Sequence, residues 1–227
     1  MDEQKERKDY EDIPLRGIRK VISARLVQSK APVPHFYVTT EIDMERIIEL
    51  RNSLKEKGIT FNDIILKLTA LTVKKHPVMT SGFLEDRIRK YNSVHLGFAV
   101  SVEDGLIAPV IKDCDKKDIE EISAESKLLS EKARNRRLRR HEYEGAVFTV
   151  SNLGMFNVDN FSAIINPPEG AALAVGSIIK KPVVIEDKIE VRNRMKVTVS
   201  CDHRVIDGAE AAQFLKTLKS DFENPVI

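Results

Sequence analysis

Helix-like and strand-like stretches follow one another in irregular order along this chain, and that order narrows the fold more than any other feature. A parallel α/β sheet needs strands and helices in regular alternation. Here residues 16–29 carry Ile18, Val21, Ile22 and Leu26 at near-helical spacing, closed by Pro32 and Pro34. HFYVTTEI (35–42) reads as a strand. Asp43 reads as the N-cap of a helix through Ile47, Ile48, Leu50 and Leu54 that stops at Gly58. Thr60 caps another, with Asp63 in the capping-box position and an apolar stripe of Phe61, Ile64, Ile65, Leu68 and Leu71. The pattern then changes to short strands from 83 to 111, where 94–102 and 106–111 flank the turn Glu103-Asp104-Gly105. Residues 118–137 form a very polar helix. Strands follow at 145–150, 171–176, 183–185 and 188–200, with a turn at Glu186-Asp187. A last helix starts near Asp207 and gathers Ala211, Ala212, Phe214, Leu215 and Leu218 on one side. This predicts an α+β domain of two layers: one mixed, mostly antiparallel sheet with helices packed on it. There is no internal repeat, and no glycine-rich loop follows a strand to bind a dinucleotide or a triphosphate.

The expected layout is a polar arm over 1–13 (MDEQKERKDYED is almost wholly charged or polar) and a single domain over 14–227. With 42% hydrophobic residues, a chain of 227 can bury about 70% of its unfolded surface without staples. The formal charge of +2 calls for no polyanionic partner, and no nucleic acid or membrane is expected. Charged residues, at 32%, point to an ion-pair-rich surface and hint at a heat-tolerant source. The two cysteines, Cys114 and Cys201, form no CxxC pair. That argues against a metal site or a disulfide framework and makes the cytoplasm the expected compartment.

Two segments can carry chemistry. In Val-Thr-Val-Ser-Cys-Asp-His-Arg-Val-Ile-Asp-Gly an alternating strand ends at His203, and Asp207-Gly208 opens a helix four residues on. Such a junction holds an imidazole on scaffold while leaving it able to reach a cleft. The plainer alternative is a satisfied histidine beside a helix-capping aspartate. In Phe148-Thr149-Val150-Ser151-Asn152-Leu153-Gly154 a second strand ends in hydroxyl and amide side chains. Ser151 there is either a donor to an oxyanion or an ordinary turn serine. Asn166-Pro167-Pro168-Glu169 reads as a rigid structural bend. Cys201 reads as a packing residue rather than a nucleophile. Arg134, Arg136, Arg137, Arg139 and Arg140, mixed with acidic residues and without an aromatic stacking set, read as a solvated or ion-paired helix end rather than a nucleic-acid surface, with contact to an anionic phosphate as a minor alternative. His76 reads as a helix-end residue, and His35, His95 and His141 receive no role.

The whole stretch from about Pro14 to Pro225 resembles the catalytic core of the 2-oxoacid dehydrogenase acyltransferases. The matching runs, in order, include RKVISARL (19–26), PHFY (34–37), FND (61–63), KKHP (74–77), DGLIAPV (104–110), VSNLGMF (150–156), AIINPP (163–168) and DHRVIDGA (202–209). His-x-x-x-Asp-Gly is the signature that this family shares with chloramphenicol acetyltransferase. The resemblance implies that family's fold and an acyl transfer between dihydrolipoamide and coenzyme A. It implies His203 as general base towards a thiol, Ser151 as oxyanion donor, and Asp207 as a residue that orients the site, with Arg19 as a candidate partner. The chemistry suits the residue types, because an imidazole of pKa about 6.5 can take a proton from a thiol of about 8.5.

The resemblance also implies a homotrimer whose sites lie between protomers, with histidine and serine from different chains, and trimers assembling into a larger shell. The C-terminal Asn224-Pro225-Val226-Ile227 could dock on a neighbour. The lipoyl group would be carried on a separate domain not present here. The 2-oxoacid decarboxylase and dihydrolipoamide dehydrogenase would be reached through domains also absent, so an excised or stand-alone core is expected. Leu153, where succinyl-transferring members tend to have glycine, favours acetyl; branched-chain groups stay open. The rival readings are a free-standing small-molecule O-acetyltransferase and a catalytically silent shell protein.

Overall fold

The computed structural model describes residues 9–103 and 105–227, the side chain of Ile18 excepted. Most of the expected arm, and Asp104 of the expected turn, therefore lie outside the described residues.

Helix α1 (Gly17–Lys30) leads to strand β1 (His35–Asp43) and helices α2 (Glu45–Ser53) and α3 (Phe61–Lys75). Strands β2 (Ser81–Leu84) and β3 (Arg87–Lys90) form a hairpin of their own. Then come β4 (Leu96–Phe98), β5 (Val100–Val102), β6 (Gly105–Ile107) and β7 (Val110–Ile111), followed by helix α4 (Ile119–Arg134). The chain closes with β8 (Phe148–Asn152), the long pair β9 (Ala171–Ile185) and β10 (Lys188–Asp202), and helix α5 (Gly208–Glu223). The main sheet has six strands in the order β1-β10-β9-β8-β4-β7. Pairings β1–β10, β10–β9 and β4–β7 are antiparallel, while β9–β8 and β8–β4 are parallel. This is the mixed, mostly antiparallel sheet with packed helices that the sequence predicts.

The sheet's period of two divides its faces. Phe148 and Val150 of β8, Leu173 and Val175 of β9, and Val197, Val199 and Cys201 of β10 point to one side. There they share one buried cluster with Ile64 and Leu68 of α3 and with Phe214 and Leu218 of α5. Phe148 and Phe214 meet ring to ring at 5.7 Å. The alternate residues carry hydroxyls to the other face. Thr198 Oγ1 lies 2.6 Å from Asn160 Oδ1 and 2.8 Å from Thr39 Oγ1, and the Ser200 hydroxyl donates to Ala163 O. The segment between β8 and β9 thus crosses the polar face and satisfies it.

Local chemistry explains most element ends. Thr60 and Asp63 form the expected reciprocal cap of α3. Glu186 and Asp187 both take positive φ, as a tight turn between twisted strands demands. Three expectations are corrected. Asp43 is not the N-cap of α2; it ends β1, Met44 takes the cap position, and the Asp43 carboxylate accepts the Glu45 N–H instead. The strand expected over 94–102 breaks at Ala99, so its two halves join different sheets. The strands expected at 171–176 and 183–185 are one continuous strand through Pro182, which pairs with Val191. At that height β8 has ended, so Pro182 lies on an edge where a missing N–H is tolerated.

Candidate active site

Strand β10 delivers His203 at its end. The preceding residue, Asp202, is buried, and its N–H donates to Gly170 O at 2.9 Å. The Asp202 carbonyl accepts the N–H groups of Val205 and Ile206 at 2.9 and 3.0 Å, turning the chain at once. The His203 N–H donates to Pro34 O at 3.1 Å, which ties the turn to the start of β1. The imidazole is 53% exposed and rests on the Phe36 ring, centroids 4.5 Å apart. Its Nδ1 lies 3.9 Å from Asp207 Oδ1, too far for a hydrogen bond. Asp207 stands at the N-cap position of α5 and donates its N–H to the Glu210 carboxylate at 2.8 Å. Its own carboxylate is largely exposed. Among the described residues no ion pair joins Arg19 to Asp207.

Ser151 lies near the end of β8, half-buried, on the face opposite the core. Its hydroxyl has no hydrogen-bond partner among the described residues and is free to donate. The next residues hold the strand end still. The Asn152 side chain accepts the Gly154 N–H at 2.9 Å and donates to Asn62 Oδ1 at 3.2 Å. A Cβ on Gly154 would stand 2.9 Å from Gly176 O, so the chain can pass there only as glycine.

The ladder places the two candidates apart. Ser151 is level with Ala174 on β9, which is level with Thr198 on β10. His203 lies beyond the end of β10, so about 16 Å along the strands and two strand spacings across them separate it from Ser151, roughly 20 Å in all. One protomer therefore does not bring its own serine and histidine together. Cys201, fully buried, has its thiol pushed up to about 12, chiefly by loss of solvent. It is a packing residue. His76 hydrogen-bonds Thr217 at the end of α3, and burial lowers its pKa. In the arginine-rich segment Arg136 pairs with Glu103 and Arg140 with Glu144.

Sequence reasoning passed over two features here. His35 clips the bend before β9, its Nε2 accepting the Ile165 N–H while Nδ1 lies 2.9 Å from Val33 O. Glu169, read only as part of a bend, is buried. Its Oε1 accepts from the Thr149 hydroxyl and from Asn166 Nδ2, both at 2.9 Å, while Oε2 has no partner. Burial raises its pKa to about 7. The bend itself passes over β2 so closely that a Cβ on Gly82 would lie 1.8 Å from Pro168 O.

Among the described residues no group of three or more His, Cys, Asp or Glu side chains is placed to hold a metal ion. No helix there is long and apolar enough to cross a membrane.

The chain is 40% identical over 226 residues to the dihydrolipoyllysine-residue acetyltransferase component of the pyruvate dehydrogenase complex of Rickettsia prowazekii. The match takes in 96% of this chain and 55% of that one, so the chain spans about half the length of the curated relatives it matches. Among solved structures it superposes on the dihydrolipoamide acetyltransferase of Azotobacter vinelandii with a TM-score of 0.91 at 31% identity, covering 95% of this chain and 92% of the other. The cubic core of the pyruvate dehydrogenase multienzyme complex gives 0.92 at 31% identity, covering 99% and 96%. Chloramphenicol acetyltransferase, at 16% identity and a TM-score of 0.55 over 84% and 88% of the two chains, shares the fold. Residues 7–226 match the family described as 2-oxoacid dehydrogenases acyltransferase (catalytic domain), and the chain belongs to that family.

Proposed function

We propose that this domain transfers an acyl group, acetyl by preference, between dihydrolipoamide and coenzyme A, at a site shared between protomers. One observation carries the reading. An exposed imidazole at the end of β10 and an unpartnered serine hydroxyl at the end of β8 lie too far apart to cooperate within one chain, yet both stand open to a neighbour. The Azotobacter relative was studied for a serine, a histidine and an asparagine in its catalytic mechanism, and their spacing is that of Ser151, His203 and Asp207 here.

In the proposed reaction His203 accepts the proton of the coenzyme A thiol. The thiolate attacks the thioester carbonyl of acyl-dihydrolipoamide, and the new C–S bond leaves an oxyanion that Ser151 of the adjacent protomer stabilises by donating its hydroxyl. Collapse breaks the old C–S bond, and the departing dihydrolipoamide sulfur takes the proton back from the imidazolium. No acyl-enzyme is needed, since both carriers end in sulfur. Asp207 orients the start of α5 beside His203. Likeness to a cubic core supports assembly of trimers into a shell. The lipoyl group would arrive on another domain, and the partner decarboxylase and dihydrolipoamide dehydrogenase would bind outside this domain. Two buried, unbridged cysteines suit a reducing compartment such as the cytoplasm.

A spectrophotometric assay with dihydrolipoamide and acetyl-, isobutyryl- and succinyl-coenzyme A tests the activity. Acetyl is expected to give the highest kcat/KM, and absence of transfer from all three would sink the proposal. Light scattering should find a trimer or a multiple of it. A stable monomer with full activity would contradict the shared site.

A further inference from the structure

We propose that Arg204 is a positioning residue for His203 and acts through the Asp202 carboxylate. The inference rests on the reading of His203 as the base. The His203 imidazole has no hydrogen bond among the described residues, so its aim is set by its backbone and by the Phe36 ring beneath it. That backbone is held from both sides by one buried carboxylate. Asp202 precedes His203, and Arg204 follows it. The Arg204 N–H donates to Asp202 Oδ1 at 3.0 Å, Nε donates to Oδ1 at 2.9 Å, and Nη2 donates to Oδ2 at 2.8 Å. The guanidinium then lies over the Phe83 ring of β2, its Cζ 4.0 Å from the ring centroid. Backbone and side chain of one arginine thus close a loop around the histidine and anchor it to a second hairpin.

The choice of residue matters physically. A planar fork meets a carboxylate at two points and fixes its angle, and it stacks on an aromatic face; an ammonium does neither. The Asp202 side chain is only 3% exposed, so its carboxylate is shielded from water, while the Arg204 side chain stays 33% exposed. With the fork lost, the turn over 202–204 can rotate, and an imidazole displaced by about 1 Å can lose on the order of tenfold to a hundredfold in rate.

Arg204→Lys tests this without leaving the buried Asp202 charge unpaired. Arg204→Gln removes the charge as well. Steady-state kinetics would be read for both substrates beside thermal unfolding, with His203→Ala alongside. The expected result for Arg204→Lys is a kcat lower by about tenfold, KM values within about twofold, and a Tm close to wild type. Arg204→Gln should lose more kcat and also some Tm. A lysine variant with wild-type kcat overturns the proposal, and so does a loss that follows KM or the fraction of folded protein. A His203→Ala variant that stays active removes the base reading itself. An inactive His203→Ala beside a fully active Arg204→Lys removes only the positioning role.

Discussion

Replacing His203 with alanine should lower acyl transfer by about 10²–10⁴-fold, the usual contribution of a positioned general base. Replacing Ser151 with alanine should cost about 10²–10³-fold, as for one lost oxyanion donor. Neither change should disturb the fold, because the imidazole is half exposed and the serine hydroxyl has no partner to leave orphaned. The two variants together distinguish where the site lies. Co-assembled in equal amounts, the two inactive chains should regain activity if each site takes its histidine from one protomer and its serine from the next. Random mixing in a closed ring leaves about a quarter of the sites with both groups intact. A site built within one chain would leave none. Mixed assemblies that stay as inactive as either parent would contradict the shared site, whereas a His203→Ala chain at near wild-type rate would remove the mechanism altogether.

The second large effect concerns stability against pH. Glu169 is buried with one carboxylate oxygen unpartnered, and desolvation outweighs its hydrogen bonds from Thr149 and Asn166 and the field of Arg25. Its folded pKa of about 7 lies above the ordinary 4.5. Below about 4.5 the group is protonated in both folded and unfolded chains and costs nothing. Between 4.5 and about 7 the unfolded chain gives up the proton and the folded one keeps it, so stability falls as pH rises. The total loss through this window is about 3 kcal/mol, at 1.36 kcal/mol for each pKa unit. Glu169→Gln keeps an oxygen for Thr149 and Asn166 and cannot ionise. Its Tm relative to wild type should therefore climb from pH 5 to about pH 7 and level off above that. A difference in Tm that stays constant over that range would show that Glu169 does not titrate there.

Much of the architecture was legible because its signals are local. Capping at Thr60 and Asp63, the turn at Glu186 and Asp187, and the alternation along 188–200 depend on residues two to four positions apart, which a sequence displays directly. The strand-to-helix junction at His203 was visible for the same reason. Boundaries failed where a distant neighbour decides. Pro182 falls in the gap between two expected strands until β8 is seen to stop short of it, and Ala99 breaks a strand because the halves pair with different partners.

The sequence by itself determined the α+β class and the family, and it singled out the two side chains, His203 and Ser151, that are proposed to move a proton and hold an oxyanion. Only the tertiary structure decided that those two groups sit far apart in one protomer, that the arginine bound to the Asp202 carboxylate lies over Phe83, and that Glu169 is sealed from water. The physical reason is that burial and strand order are sums over contacts between residues remote in the chain, such as Asp202 with Gly170 or Glu169 with Thr149. Spacing along the chain carries no record of them.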